Sequence, residues 1–307
     1  MPQVIQQENN KKKILQILTV LFGSFLIGLS PVFVRLSSME PVSVGFYRLF
    51  LSLPILLVWM AFTKKNQKKD SFRMGKKHLW MLLGGVFFAF DIGLWNLSLK
   101  HTSVANSSLF NNFAAFFVPL MAWLFYAARP KVRFIFTLCL AFIGSFLLTS
   151  GEGFSLQFTS GDLLALISAV AFGSYIMTMS KLRRESLTTR ELLFWKGISC
   201  SLLLGLMALF MGESLIPPNI KEWSLLFSIA IFIQVLGQGL LVFTLGKLSP
   251  AVAAVTLLAA PITSVFMAWI LFSEHLSMTK IIGAAIILSS IFLLQVDEKK
   301  KAANSLK

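Results

Sequence analysis

The sequence predicts an all-α membrane protein of ten transmembrane helices arranged as two inverted five-helix repeats. Three observations carry this reading. First, 56% of the 307 residues are hydrophobic, only 13% are charged, and the mean hydropathy is +0.77. No water-soluble domain of this size hides so much apolar surface, and the short alternating segments of a β-barrel are absent. Second, the chain repeats itself: residues 249–274, SPAVAAVTLLAAPITSVFMAWILFSE, echo residues 103–128, SVANSSLFNNFAAFFVPLMAWLFYAA, at a constant offset of 146. The offset runs on without a gap, so that Phe146-Leu147-Leu148 falls on Phe292-Leu293-Leu294. Third, Lys and Arg separate cleanly between alternate connections.

A span needs about 20 apolar residues at a rise of about 1.5 Å each. Apolar runs place spans at roughly 14–36, 42–63, 78–99, 105–127, 133–150, 162–181, 190–212, 222–245, 251–273 and 280–296. The first follows Lys11-Lys12-Lys13, as in a signal peptide, but the run is too long and lacks a small-x-small cleavage site. It reads as a retained helix, kinked at Pro31. The second carries Tyr47, Arg48 and Pro54. Arg48 lies seven residues beyond Pro41, hence about 10 Å in from the outer end.

The third span holds Asp91, the only acidic residue well inside a span. It lies nine residues before Lys100, about 13 Å deep, so an Arg48–Asp91 ion pair is within reach. Ionised carboxylates at depth are costly. Asp91 is therefore a structural hydrogen-bonding or ion-pair group, a contact for a cationic substrate group, or a proton-coupling carboxylate. Trp95, one turn on, shares its face, and Asn96 follows. On the fourth span Ser108, Asn111 and Asn112 are polar, with solute contact and helix packing both open, and Pro119 favours a kink. Cys139 on the fifth and Cys200 on the seventh read as packed apolar thiols.

The sixth span has Ala165, Ala169 and Gly173 at four-residue spacing for close packing. Phe33, Tyr47 and Tyr175 are aromatic candidates for a pocket, against ordinary packing or a lipid-facing position. Lys196, about two turns inside the seventh span, reads as snorkelling to the near surface. On the eighth, Gln234 and Gln238 share a face and flank Gly237, the repeat partner of Asp91. They line a pocket or bond to neighbouring helices. The ninth span pairs small Ala251 and Ala254 with Pro261 and ends at Glu274, read as an interfacial carboxylate. His78, His101 and His275 sit at helix ends.

With the N-terminus cytoplasmic, the inner segments hold 22 Lys and Arg and the outer segments four: Arg35, Lys100, Lys221 and Lys280. Five spans per repeat is an odd number, so the second copy, 162–296, lies upside down relative to the first, 14–150. Inverted repeats place substrate sites at their interface near the midplane. The net charge of +15 resides in loops and does not argue for nucleic acid.

Ten spans in two halves resemble the drug/metabolite transporter superfamily, EamA-type, over about 17–296. The resemblance is carried by GSFLIGLSPVFVRLSSMEPVSVGFYRLFLSLPIL with Pro41 and Arg48, by GDLLALISAVAFGSYIMTMSKL with Lys181 aligned to Arg35, and by MAWLF and MAWIL in the fourth helix of each half. The family often has a Glu at the end of each fourth helix. Glu274 supplies one, but Ala128 stands at the other position, so a mechanism using that first Glu is absent. Phe172 stands where a Trp is frequent. The resemblance implies a small-molecule substrate, a place in a bacterial inner (plasma) membrane as a multi-pass protein with both termini cytoplasmic, and pocket helices one, three, four, six, eight and nine.

No HExxH, GxSxG, P-loop or metal cluster is present, so no cofactor, metal or enzymatic activity is expected. The expected function is secondary active transport, with export of amino acids or amino-acid-like metabolites favoured, by alternating access. It would be driven by protons, by a counter-solute or downhill. Uptake or exchange of a cationic or nucleoside-like metabolite, drug efflux, and a passive solute channel are the alternatives. The substrate-binding candidates are Tyr47, Asp91, Trp95, Asn96, Asn111, Asn112, Tyr175, Gln234 and Gln238, with Arg48 as ion-pair candidate.

Overall fold

The computed structural model describes the backbone of residues 2–63, 75–149, 157–185 and 187–304, and the side chains of 15–62, 75–103, 106–149, 157–185 and 187–294. Every regular element among them is helical. Among the described residues, nine spans are long and apolar enough to cross a membrane: Leu15–Leu36, Pro41–Phe62, Lys76–Ser98, Asn106–Tyr126, Val132–Thr149, Ser160–Arg184, Thr189–Phe210, Ile220–Leu245 and Pro250–Phe272. A tenth apolar helix, Met278–Leu294, is shorter. The charged connection after the second span lies outside the described residues up to Gly75, as do the side chains of Lys11–Lys13 and Lys299–Lys301.

Several spans are broken, and proline sets most of the breaks. Helices end at Gly28, Phe50 and Leu257, in each case three or four residues before Pro31, Pro54 and Pro261. A proline lacks an amide hydrogen and crowds the carbonyl four residues back, so the ladder stops there. The fourth span breaks differently from the expectation. Pro119 lies inside the helix Ala114–Tyr126, and the interruption falls at Asn112–Phe113. There the amides of Phe113, Ala115 and Phe116 turn to carbonyls three residues back, so the tighter turns make the break without a proline.

That interruption recurs at the offset read from the sequence. Helices Val104–Asn111 and Ala114–Tyr126 match Pro250–Leu257 and Ala260–Phe272, boundary for boundary. Ser103 caps Asn106, and Ser249 caps Val252. Among the described residues, two non-glycine positions have left-handed backbone, Ala127 at φ 52° and Ser273 at φ 53°, and they also differ by 146 in number.

The molecule is lined outside with Leu, Ile and Phe, including Phe62, Phe136, Phe210 and Phe292. Such a surface suits lipid tails and not water. Inside, small residues bring backbones together. A Cβ at Gly85 would meet the Lys196 carbonyl at 2.3 Å, and one at Gly28 would meet the Ala260 carbonyl at 2.3 Å. Ala165 and Ala169 are fully buried. Cys200 is buried, but Cys139 is exposed on the lipid-facing surface, because its neighbours Gly144 and Ala141 lie on the packed side of the fifth span. Neither forms a disulfide.

The two ends of the bundle differ. At one end the carboxylates of Glu213 and Glu222 and the hydroxyl of Thr102 tie helix ends together. Glu213 accepts from the Ser43 amide at 2.8 Å, and Glu222 accepts from Ser37 and from the Ser38 amide at 3.1 Å. Thr102 donates to Asp162 at 2.7 Å. Arg35 and Glu274 form an ion pair, and the Arg35 guanidinium stands 4.1 Å from the Phe272 ring centroid. Glu274 is thus a partner for the first span, beyond the interfacial role expected of it. The other end carries Arg129, Lys131, Lys181, Arg184 and Lys247.

Candidate functional site

Seven apolar spans each place a polar side chain in one interior region. From the second span, Arg48 donates through Nε to the Gln234 Oε1 at 3.1 Å and through Nη1 to the Ser30 Oγ at 3.2 Å. Because a guanidinium only donates, Gln234 must face it with its oxygen. That leaves the Gln234 Nε2 buried with no hydrogen-bond partner among the described residues. Gln234 sits in a π-helical stretch, Ile229–Gly237, within the eighth span. The wider turn separates it from Gln238, and π-helical turns recur at functional sites.

A second chain of donors runs from the seventh span. Lys196 is fully buried; its ammonium donates to the Tyr175 hydroxyl at 3.1 Å, which donates to the Gln238 Oε1 at 3.0 Å. The same ammonium stands 3.9 Å from the centroid of the Phe88 ring. Arg48 stands over that ring too, at 5.8 Å, so one aromatic face serves two cations. A third connection runs from the fourth span, where the Asn111 Nδ2 donates to the Asp91 Oδ1 at 3.0 Å and to the Ser168 Oγ at 2.6 Å.

A cavity of about 440 Å³ opens at the basic end. It is walled by the connection after the fourth span, the last turns of the sixth and the first turn of the ninth. Its charged lining is Arg129, Lys131, Lys181 and Arg184 against the single carboxylate of Glu185. Met177 in its wall lies two residues along the helix from Tyr175.

The arrangement has relatives. The sequence profile of the EamA-like transporter family matches residues 14–150 and again 159–296. The chain belongs to this family. It is therefore a member of the drug/metabolite transporter superfamily and an integral membrane protein. It is 27% identical over 298 residues to an "Uncharacterized transporter" of Archaeoglobus fulgidus, covering 93% of this chain and 97% of that one. It is 22% identical over 219 residues to "Pseudopaline exporter CntI" of Pseudomonas aeruginosa, covering 71% of this chain and 75% of the relative. These are named as transporters, not enzymes. A solved crystal structure shares the fold with a TM-score of 0.75 and 14% identity, over 93% of this chain and 97% of that one.

In this EamA-family chain the sequence-derived candidates divide. Asp91, Asn111, Tyr175, Gln234, Gln238 and Arg48 come together in the buried region. The Arg48–Asp91 ion pair is not formed among the described residues, because each group is engaged by an amide instead, Arg48 by Gln234 and Asp91 by Asn111. Tyr47 turns away and donates to the Leu215 carbonyl at 2.6 Å. Asn96 donates to the Pro41 carbonyl at 3.2 Å, and Asn112 to the Ser145 Oγ at 2.8 Å, so both serve helix packing. Trp95 is half-buried and outside the network. Lys196 does not snorkel. The close approach at Gly85 turns its stem inward, where Phe88 and Tyr175 receive the ammonium. Lys196, Ser30 and Ser168 were missed; a lysine two turns inside an apolar run was the one signal available.

Proposed function

We propose that this chain is a secondary active transporter that exports amino acids or amino-acid-like metabolites across a bacterial inner membrane by alternating access. In this reading 14–150 and 162–296 are two inverted five-helix copies, and both termini are cytoplasmic. The observation that carries the proposal is the buried network bridging the two copies. Arg48 of the first reaches Gln234 of the second, and Asn111 of the first reaches Ser168 of the second. A polar junction deep between repeats is where a carrier of this architecture holds its solute.

The basic-end cavity and the tied opposite end fit a state open to the cytoplasm. The named exporter from P. aeruginosa supports the direction. A passive channel would need a polar file running from face to face, and the buried polar groups here form a closed cluster instead. Asp91, the one carboxylate in the network, is the group proposed to couple transport to protons.

Counterflow in proteoliposomes tests the proposal. Saturable exchange of labelled amino acids or their N-acetyl derivatives, stimulated by a pH gradient, is the expected result. Linear, unsaturable flux would make the protein a channel.

A further inference from the structure

The buried site is unbalanced in charge. Two cations, Arg48 and Lys196, share it with one carboxylate, Asp91, and neither cation forms an ion pair among the described residues. Arg48 is 8% exposed and Lys196 is 0% exposed. Their partners are neutral: amide and hydroxyl oxygens and the Phe88 ring. Neutral dipoles compensate a buried charge only in part, so an unpaired one is costly. The hydrogen-bond inventory is lopsided in the same sense. The Gln234 Nε2 is a sealed donor with nothing to donate to, and an unmet buried donor is itself expensive. Donors and positive charge are in excess; acceptors and negative charge are lacking.

We infer that the transported solute carries a net negative charge through a carboxylate, which is received between Arg48, Gln234 and Lys196. A carboxylate offers two oxygens with about four acceptor positions, enough for the idle amide and both cations. The basic-end cavity is consistent with this on independent grounds. Four cations against one carboxylate line it, and a mouth of that sign gathers anions and repels cations. The inference rests on the transporter reading and narrows it. Within amino-acid-like metabolites it selects those whose carboxylate is not balanced by a free ammonium. A zwitterion leaves the site with its surplus charge, and a cation adds to it.

The test uses purified full-length protein in nanodiscs and in proteoliposomes, with probes of one side chain and three net charges: N-acetyl-leucine, leucine and leucinamide. N-acetyl-phenylalanine, phenylalanine and phenylalaninamide form a second set. The thermal midpoint reports binding, and labelled counterflow reports transport. N-acetylated probes are expected to raise the midpoint at concentrations about tenfold or more below their amides, the ratio a single retained charge contact gives. Lys196→Met is expected to abolish the discrimination while leaving the unliganded midpoint equal or higher, since it removes an unpaired buried charge. A purely structural Lys196 would lower that midpoint. Gln234→Leu, which leaves the charge unchanged, is expected to weaken the N-acetylated probes alone.

Equal or reversed ranking of the probes in the wild type overturns the inference, as does binding of amides that appears only with chloride present, which would make the site one for an inorganic anion. Absence of any saturable flux, with the carboxylate preference intact, overturns the transporter reading and leaves the anion site standing.

Discussion

At the scale of single residues the membrane interior sharpens each choice, because a polar group there answers to a neighbour or to nothing. Asn111 shows this: one amide nitrogen serves both Asp91 and Ser168. Asn111→Leu keeps the bulk and strips both bonds. The expected result is a loss of about 1–3 kcal/mol, the cost of leaving buried polar groups unmet, read as a lower thermal midpoint in detergent. Asp91→Asn keeps shape and acceptor but removes charge. Flux is expected to fall at least about tenfold with the midpoint within a few degrees of wild type. Full flux would reduce Asp91 to a hydrogen-bond acceptor. The identity of these groups was legible in the sequence, since Asp91, Arg48 and Gln234 stand alone in apolar runs. Their pairing was not. Counting residues gives depth along a span, and Arg48 and Asp91 agree in depth, but partners are chosen by rotation about the helix axis, and that depends on every neighbouring helix.

At the scale of elements, what the sequence shows is spacing, and what it hides is which glycine carries the contact. Ala165, Ala169 and Gly173 stand out by their four-residue rhythm, yet a Cβ at Gly173 would meet nothing nearer than 3.5 Å. Gly85 keeps the same rhythm with Ala89 and Gly93, and it bears the tightest crossing, against the Lys196 carbonyl and the Ser199 Oγ. Backbone cannot move aside as a side-chain tip can. Gly85→Ala is therefore expected to destabilise the bundle by about 1–3 kcal/mol, the usual cost of overpacking, and to perturb transport through Lys196. Gly239→Ala is the control: its Cβ would touch only Leu193 at 3.5 Å, an ordinary contact, so the midpoint should hold. Similar losses in both variants would show that helix entropy or lipid packing, not this crossing, governs stability. The π-helical stretch at Ile229–Gly237 lay beyond sequence reading for a related reason. A widened turn needs only one shifted hydrogen bond and leaves the apolar pattern intact.

At the scale of the whole molecule, the 146-residue offset was visible in letters such as MAWLF and MAWIL, and it reappears in places the letters do not mark, the left-handed Ala127 and Ser273. The latch across the tied end breaks that likeness. Arg35 pairs with Glu274, whereas their counterparts are Lys181 and Ala128, which cannot pair. One end therefore has an electrostatic clasp that the other lacks. The Arg35 and Glu274 side chains are 55% and 41% exposed, so water screens the clasp, and an exposed pair contributes about 0.2–1 kcal/mol. That is small for folding, but under the proposed alternating access, with two states that differ by a few kcal/mol, it would change their ratio by up to about fivefold. Glu274→Gln should accordingly favour opening at the clasped end. A cysteine at Thr263, buried beside Gly28 between the first and ninth spans, in a chain with Cys139 and Cys200 replaced, reports it. Labelling by a membrane-impermeant thiol reagent from the clasped side should rise by up to about fivefold in Glu274→Gln, and return toward the parent rate when Arg35→Glu is combined with Glu274→Arg. Unchanged labelling would mean that Glu222 and Glu213, with their serine partners just beyond the first span and on the second, hold that end closed without help from the ion pair.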